Sequence, residues 1–207
     1  MKLMFSPTSP FVRRVRAAAI ELGLAERITL EAIQVAPVRQ NDAYAAGINP
    51  LRKVPALVLD DGRTTLVDSS VICLYLDELA GGNRLLPRPG AERWDVLTRQ
   101  AVALGMTDAL VLSRYETSLR PQALRWPEWA HDQEDRFWSG LGWFEERLAG
   151  PAAADGTPDL AQLALACCLG YADFRFPAFN WRERAPLAAA HYARLLRRPS
   201  LASTGPS

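Results

Sequence analysis

The period of the hydrophobic pattern changes once along this chain, at a stretch that no regular element can cross. Gly81-Gly82-Asn83 and then Leu86-Pro87-Arg88-Pro89-Gly90 combine turn formers with two prolines that interrupt backbone hydrogen bonding. Before this stretch, short apolar runs alternate with segments of helical spacing. After it, only helical spacing remains. A chain patterned in this way folds as a small mixed α/β unit followed by an all-helical unit.

In the first part, Lys2–Phe5 reads as a strand stopped by Ser6-Pro7. Pro10 opens a helix carrying Val12, Val15, Ala19 and Leu22, which Gly23 closes. Ile28–Val35 reads as a second strand, and a short helix ends at Tyr44–Gly47. Ala56–Leu59 and Thr64–Val67 flank Asp60-Asp61-Gly62, a strong hairpin signal. Asp68 or Ser69 then caps a helix with Val71, Ile72, Tyr75, Leu76 and Leu79 on its apolar positions. Beyond the linker, helices are expected over Glu92–Arg120, from Pro127 to before Gly150-Pro151, from Asp159 to about Phe174, and over about Leu187–Leu196. Asp159 and Gln162 have the spacing of a capping box. The last ten residues, rich in Pro, Ser and Gly, read as frayed. The domains are therefore 1–79 and 91–207, with 80–90 as linker.

Composition excludes several classes of function. With 24 Lys+Arg against 23 Asp+Glu, the net charge of +1 gives no electrostatic footprint for nucleic acid or an anionic membrane. No apolar run reaches the ~18 residues of a membrane span; Leu160–Ala172 is shorter and contains Gln162. Pro7, Pro10, Arg13 and Arg14 break up any signal-peptide core. Cys73, Cys167 and Cys168 show neither C-x-x-C nor Cys/His metal spacing, so they read as buried thiols in a reducing compartment and no metal is expected. Cytoplasm is the expected location. His131 and His191 lack a metal-ligand or triad partner and read as structural or exposed.

Three motifs occur in order: Ser9-Pro10-Phe11 after the first strand, Asn49-Pro50-Leu51-Arg52-Lys53-Val54-Pro55-Ala56-Leu57 before the third, and Asp68-Ser69 at the third helix. Together they resemble the glutathione transferases, whose N-terminal domain is thioredoxin-like and whose C-terminal domain is all-α. Leu169-Gly170-Tyr171-Ala172-Asp173-Phe174-Arg175 is similar to a bacterial subgroup of the same superfamily.

The resemblance implies glutathione as co-substrate and Val54-Pro55 as the family's cis-proline turn, whose backbone pairs with the extended tripeptide. It implies the Asp68-Ser69 helix start as the site of the γ-glutamyl carboxylate, with Asp68 on the amine. Lys53 is the candidate for the glycyl carboxylate. Ser9 is the implied thiol-activating hydroxyl, with Ser6 and Thr8 as neighbouring alternatives. Where thiol-using relatives have Cys this chain has Ser9, which cannot form a mixed disulfide, so reductase chemistry is disfavoured.

The implied activity is detoxifying transfer of glutathione to a small apolar electrophile by a homodimer. Met106, Tyr115 and Trp181 are candidates for the second-substrate pocket. Asp108, on an apolar line of its helix, faces an interdomain cleft or pairs with Arg13 or Arg114. A non-catalytic binding protein on this fold is the alternative, as is glutathione-dependent peroxidase, isomerase or dehalogenase chemistry.

Overall fold

A computed structural model describes residues 1–39, 41–149 and 156–206. The Gly150-Pro151 helix stop expected from the sequence lies outside them. Four strands and three helices form the N-terminal unit: β1 (Lys2–Phe5), α1 (Pro10–Glu21), β2 (Thr29–Ala32), α2 (Asp42–Gly47), β3 (Ala56–Val58), β4 (Thr65–Leu66) and α3 (Ser69–Leu79). The sheet order is β2-β1-β3-β4, with β1 parallel to β2 and the other pairs antiparallel. The parallel pair needs a crossover, which α1 supplies.

β2 is shorter than the Ile28–Val35 run. It is an edge strand whose register on β1 ends at Phe5 and Ala32, with one more hydrogen bond from the Ile33 N–H to the Phe5 carbonyl at 3.0 Å before β1 stops. In the β3–β4 hairpin, Asp61 accepts from the Arg63 and Thr64 N–H groups, both at 2.9 Å, and Gly62 takes φ +67°. That positive φ is the reason a glycine follows the aspartates.

The helical unit comprises α4 (Ala91–Ser118), α5 (Pro127–Arg147), α6 (Leu160–Arg175), α7 (Trp181–Arg184), α8 (Pro186–Leu195) and α9 (Pro199–Ala202). α6 is buried from Leu163 to Ala172 without a break, so it runs through the core and explains the nearly continuous apolar sequence. Its capping box is complete: Asp159 accepts from the Gln162 N–H at 2.7 Å and Gln162 accepts from the Asp159 N–H at 2.9 Å. α5 approaches α4 closely at Gly140, where an added Cβ would lie 2.5 Å from Met106 Cγ.

The expectation of a frayed C-terminus is overturned as far as Pro206. Pro199 starts α9, and Ser200, Leu201 and Thr204 are buried. Arg198 donates twice to Glu21 at the end of α1, at 2.7 and 2.8 Å, and Ser200 donates to the same carboxylate. Arg13 donates to the Leu201 carbonyl at 3.0 Å. The C-terminal segment thus ties the helical unit back onto the first helix of the N-terminal one.

Candidate glutathione site

The sheet brings the three motifs to one end. Met4 of β1 pairs with Ala56 of β3, so the C-terminal end of β1 lies beside the N-terminal end of β3. Leu57 of β3 pairs with Leu66 of β4, so β4 also finishes at that end. Ser9 follows β1, Val54-Pro55 precede β3, and Asp68-Ser69 follow β4. Strand directions alone therefore converge residues that are far apart in sequence.

Ser9 is the N-cap of α1. Its hydroxyl accepts from the Val12 N–H at 3.3 Å, which leaves the O–H free to donate. The Val54–Pro55 bond is cis. The preceding loop is fixed by the Lys53 carbonyl, which accepts from Tyr44 Oη and Asn49 Nδ2, both at 2.8 Å. Burial pushes the Tyr44 pKa up to about 12, so it keeps the proton it donates. Asn49 opens the second motif, whereas nothing in the sequence marks Tyr44 as a residue that shapes the site.

At α3, Asp68 is the N-cap and accepts from the Ser70 N–H at 2.8 Å. The Ser69 hydroxyl is turned inward and accepts from Arg14 Nη1 at 3.2 Å, while Ser70 Oγ accepts from the same nitrogen at 3.3 Å. Arg14 is 1% exposed and also donates to Gln100 of α4 at 2.7 Å. No ion pair is recorded for it among the described residues, and its Nε is buried without a partner. A cation thus lies beneath a helix N-terminus, an arrangement suited to an anionic group above. From the sequence Arg13 and Arg14 read as solvated or interdomain charges; here both are buried between the units.

Asp108 lies on α4 within electrostatic reach of Lys53 and Asp68 of the N-terminal unit. Burial pushes its carboxyl up; Lys53 opposes the shift, and Asp68 adds to it by repulsion. Lys53, Asp68 and Asp108 are therefore electrostatic neighbours across the two units, and neither Arg13 nor Arg114 pairs with Asp108.

The second-substrate candidates separate. Met106 packs inside the helical core against Gly140. Trp181 is 1% exposed and donates from Nε1 to Asp173 at 2.7 Å, next to a cavity of about 200 Å³ formed with Phe176 and Asn180. Neither lines the small cavity, about 10 Å³, that Ser9 shares with Thr8, Arg13 and Tyr171. Only Tyr115 stands open, 36% exposed on α4. Aromatic and thioether side chains were drawn into the core by their apolar area.

The three cysteines are free and buried, and burial raises Cys167 to about 11 and Cys168 to about 12. Burial favours the protonated form of all three thiols. Among the described residues, no helix is long and apolar enough to cross a membrane, and no cluster of metal-ligating side chains occurs.

A thioredoxin-like unit with these three motifs at one sheet end, joined to a helical unit, defines a class, and the chain belongs to the glutathione S-transferase family. The family model of the glutathione S-transferase N-terminal domain matches residues 3–84, and that of the C-terminal domain matches residues 127–194. The chain is 34% identical over 206 residues to an uncharacterized GST-like protein of Escherichia coli K12, YibF, covering 100% of this chain and 98% of that protein.

Among solved structures, a glutathione transferase family member from Pseudomonas fluorescens Pf-5 with bound glutathione is 41% identical, with a TM-score of 0.90 over 100% of this chain and 98% of that one. A structure of a family member from the same organism holds S-(propanoic acid)-glutathione; it is 40% identical with a TM-score of 0.86, and both chains are covered in full. A glutathione S-transferase from Methylobacillus flagellatus KT with glutathione bound is 32% identical, with a TM-score of 0.86 over 100% of this chain and 99% of that one.

Proposed function

We propose that this protein binds glutathione at the sheet end described above and transfers it to a small electrophile in the cleft between the two units. The observation that carries this reading is the placement of Ser9. It sits at the N-terminus of α1, with its oxygen already accepting from Val12 and its O–H free to donate. The glutathione-bound relatives support the choice of ligand.

In this reading the glutathione backbone pairs with Val54 beside Pro55. The γ-glutamyl carboxylate lies at the start of α3, on the N–H groups around Ser69 and above buried Arg14. Asp68 takes the γ-glutamyl amine and Lys53 the glycyl carboxylate. Each contact matches an unlike charge or fills an unpaired backbone group. Arg14 is a positioning residue, since it fixes Ser69 and Ser70 and sets the local charge.

A free thiol titrates near 8.5, so little thiolate exists at neutral pH. A hydrogen bond from Ser9 to the sulfur, together with the α1 dipole, favours the thiolate. A bond to a charged group is worth roughly 1.5–3 kcal/mol, or about 10–150-fold in the thiolate-to-thiol ratio. The thiolate then attacks the electrophilic carbon: the C–S bond forms, and the leaving group departs with its electron pair. The protein acts as a homodimer in the cytoplasm, where glutathione is reduced and the three cysteines remain thiols.

The test is retention on immobilised glutathione followed by turnover of a panel of electrophiles. Retention with turnover is expected. Retention without turnover across the panel would assign the chain to non-catalytic binding instead.

A further inference from the structure

Among the described residues two arginines are buried, Arg13 and Arg14. Arg14 donates to Ser69, Ser70 and Gln100. Arg13, 5% exposed, donates from Nη2 to the Leu201 carbonyl at 3.0 Å, while its Nε and Nη1 are buried without a partner. No carboxylate among the described residues pairs with it. A buried cation in this condition is costly to the fold, and an anion brought near it relieves the cost.

Three elements fix where the Arg13 charge lies. On α6, Gly170 makes room for it, since an added Cβ there would stand 2.0 Å from Arg13 Nη1. Cys167 and Tyr171 lie on the same face of α6 as Gly170, three residues before it and one after. On α1, Arg13 follows Ser9 by one turn, and helical side chains lean towards the N-terminus, so its stem runs back over the Ser9 turn. The small cavity beside Ser9 is accordingly lined by Thr8, Ser9 and Arg13 from one side and by Cys167 and Tyr171 from the other. Pro206 of the C-terminal segment lines it as well. The cation and the Ser9 end of α1 therefore share one enclosed place, away from water.

Arginine keeps its charge at every pH where the chain is folded. A unit charge on the order of 10 Å from a thiol, at an effective dielectric of about 20, lowers its pKa by roughly one unit. We propose that Arg13 is the buried counter-charge of the glutathione thiolate, a positioning residue that lowers the thiol pKa through space from behind Ser9. This rests on the glutathione reading above and deepens it. Ser9 touches the sulfur; Arg13 sets the potential in which that contact operates.

The test is titration of the thiol in the complex with glutathione, followed by thiolate absorbance, with affinity measured by calorimetry on the full chain. Arg13→Met should raise the bound thiol pKa by about one unit, a tenfold fall in the thiolate-to-thiol ratio, and Arg13→Lys by less than half of that. A purely structural role would weaken folding in both variants and leave the pKa in place. Ser9→Ala keeps Arg13 and needs no change in the core: its bound thiol should still titrate at least about half a unit below the ~8.5 of a free thiol. A pKa in Arg13→Met within about 0.3 units of wild type, a Lys variant shifted as far as the Met variant, or a Ser9→Ala complex titrating like free glutathione would each overturn the inference. Those results with glutathione still bound leave the glutathione reading standing. Absence of binding heat in the wild type would refute that reading, and the role of Arg13 with it.

Discussion

Glu21 is the residue on which the attachment of the C-terminal segment turns. It ends α1, where a negative charge opposes the helix dipole, so its presence there depends on its partners. Those partners are Arg198, through two nitrogens, and Ser200. The Glu21 side chain is 8% exposed and that of Arg198 30%. Removing one member of a fully buried pair costs about 3–5 kcal/mol. Arg198 keeps enough exposure to be partly rehydrated, and loss of the unfavourable dipole contact returns a few tenths, so Glu21→Ala should cost about 2 kcal/mol.

For a chain of this length that corresponds to a fall in Tm of about 4–8 °C. Urea unfolding of Glu21→Ala, Arg198→Met and the double variant would measure the coupling directly, with about 1–2 kcal/mol expected. Trypsin should also cut after Arg197 faster in Glu21→Ala, since Pro199 blocks cleavage after Arg198. Burial works to raise the Glu21 pKa, but Arg198 and Ser200 outweigh it and hold the carboxyl below its ordinary value of 4.5. The contribution is therefore complete above the unfolded pKa and is lost as pH falls through the folded one. A coupling below about 0.3 kcal/mol would refute the reasoning and leave the packing of Leu201 as the tether.

Two further perturbations test the core. Burial, with Arg194 beside it, lowers the His191 pKa from 6.5 to about 4, and the Arg194 guanidinium faces Nδ1 at 3.1 Å, so the ring is neutral with Nδ1 accepting. The unfolded chain takes up this proton first, so stability should fall by on the order of 3 kcal/mol as pH drops from about 6.5 towards 4. His191→Gln should flatten that slope in urea unfolding at several pH values; an unchanged slope would contradict the assignment. Gly170→Ala would place a Cβ 2.0 Å from Arg13 Nη1 and 2.8 Å from the Tyr192 hydroxyl. It should destabilise the fold by about 1–3 kcal/mol, and thermal unfolding like that of the wild type would mean that Arg13 moves aside without cost.

Local signals were enough for the architecture. The change of period at residues 81–90, the Asp61-Gly62 hairpin and the Asp159/Gln162 box each involve groups a few residues apart, and each is visible in the chain as written. The ordering of the three site motifs was legible for the same reason, and strand direction did the rest.

What was not legible depends on partners distant in sequence. The segment after Arg198 looked frayed because Pro, Ser and Gly dominate it, yet its anchor is Glu21 at the opposite end of the chain. Arg14 reads from the sequence as a solvated or an interdomain charge, and nothing within α1 chooses between the two, because its acceptors Ser69 and Gln100 lie far along the chain. Met106 and Trp181 were misplaced because apolar character says that a side chain is buried, without saying on which side of a helix the cleft will lie.

In the proposed function, the Ser9 hydroxyl makes bound glutathione a thiolate. The most direct measurement is titration of the enzyme–glutathione complex followed by thiolate absorbance in the ultraviolet, for wild type and Ser9→Ala, with glutathione affinity checked by calorimetry. The thiolate-to-thiol ratio should be about 10–150-fold higher in the wild-type complex than in the variant, with affinity nearly unchanged. Identical titration curves for the two complexes would contradict it.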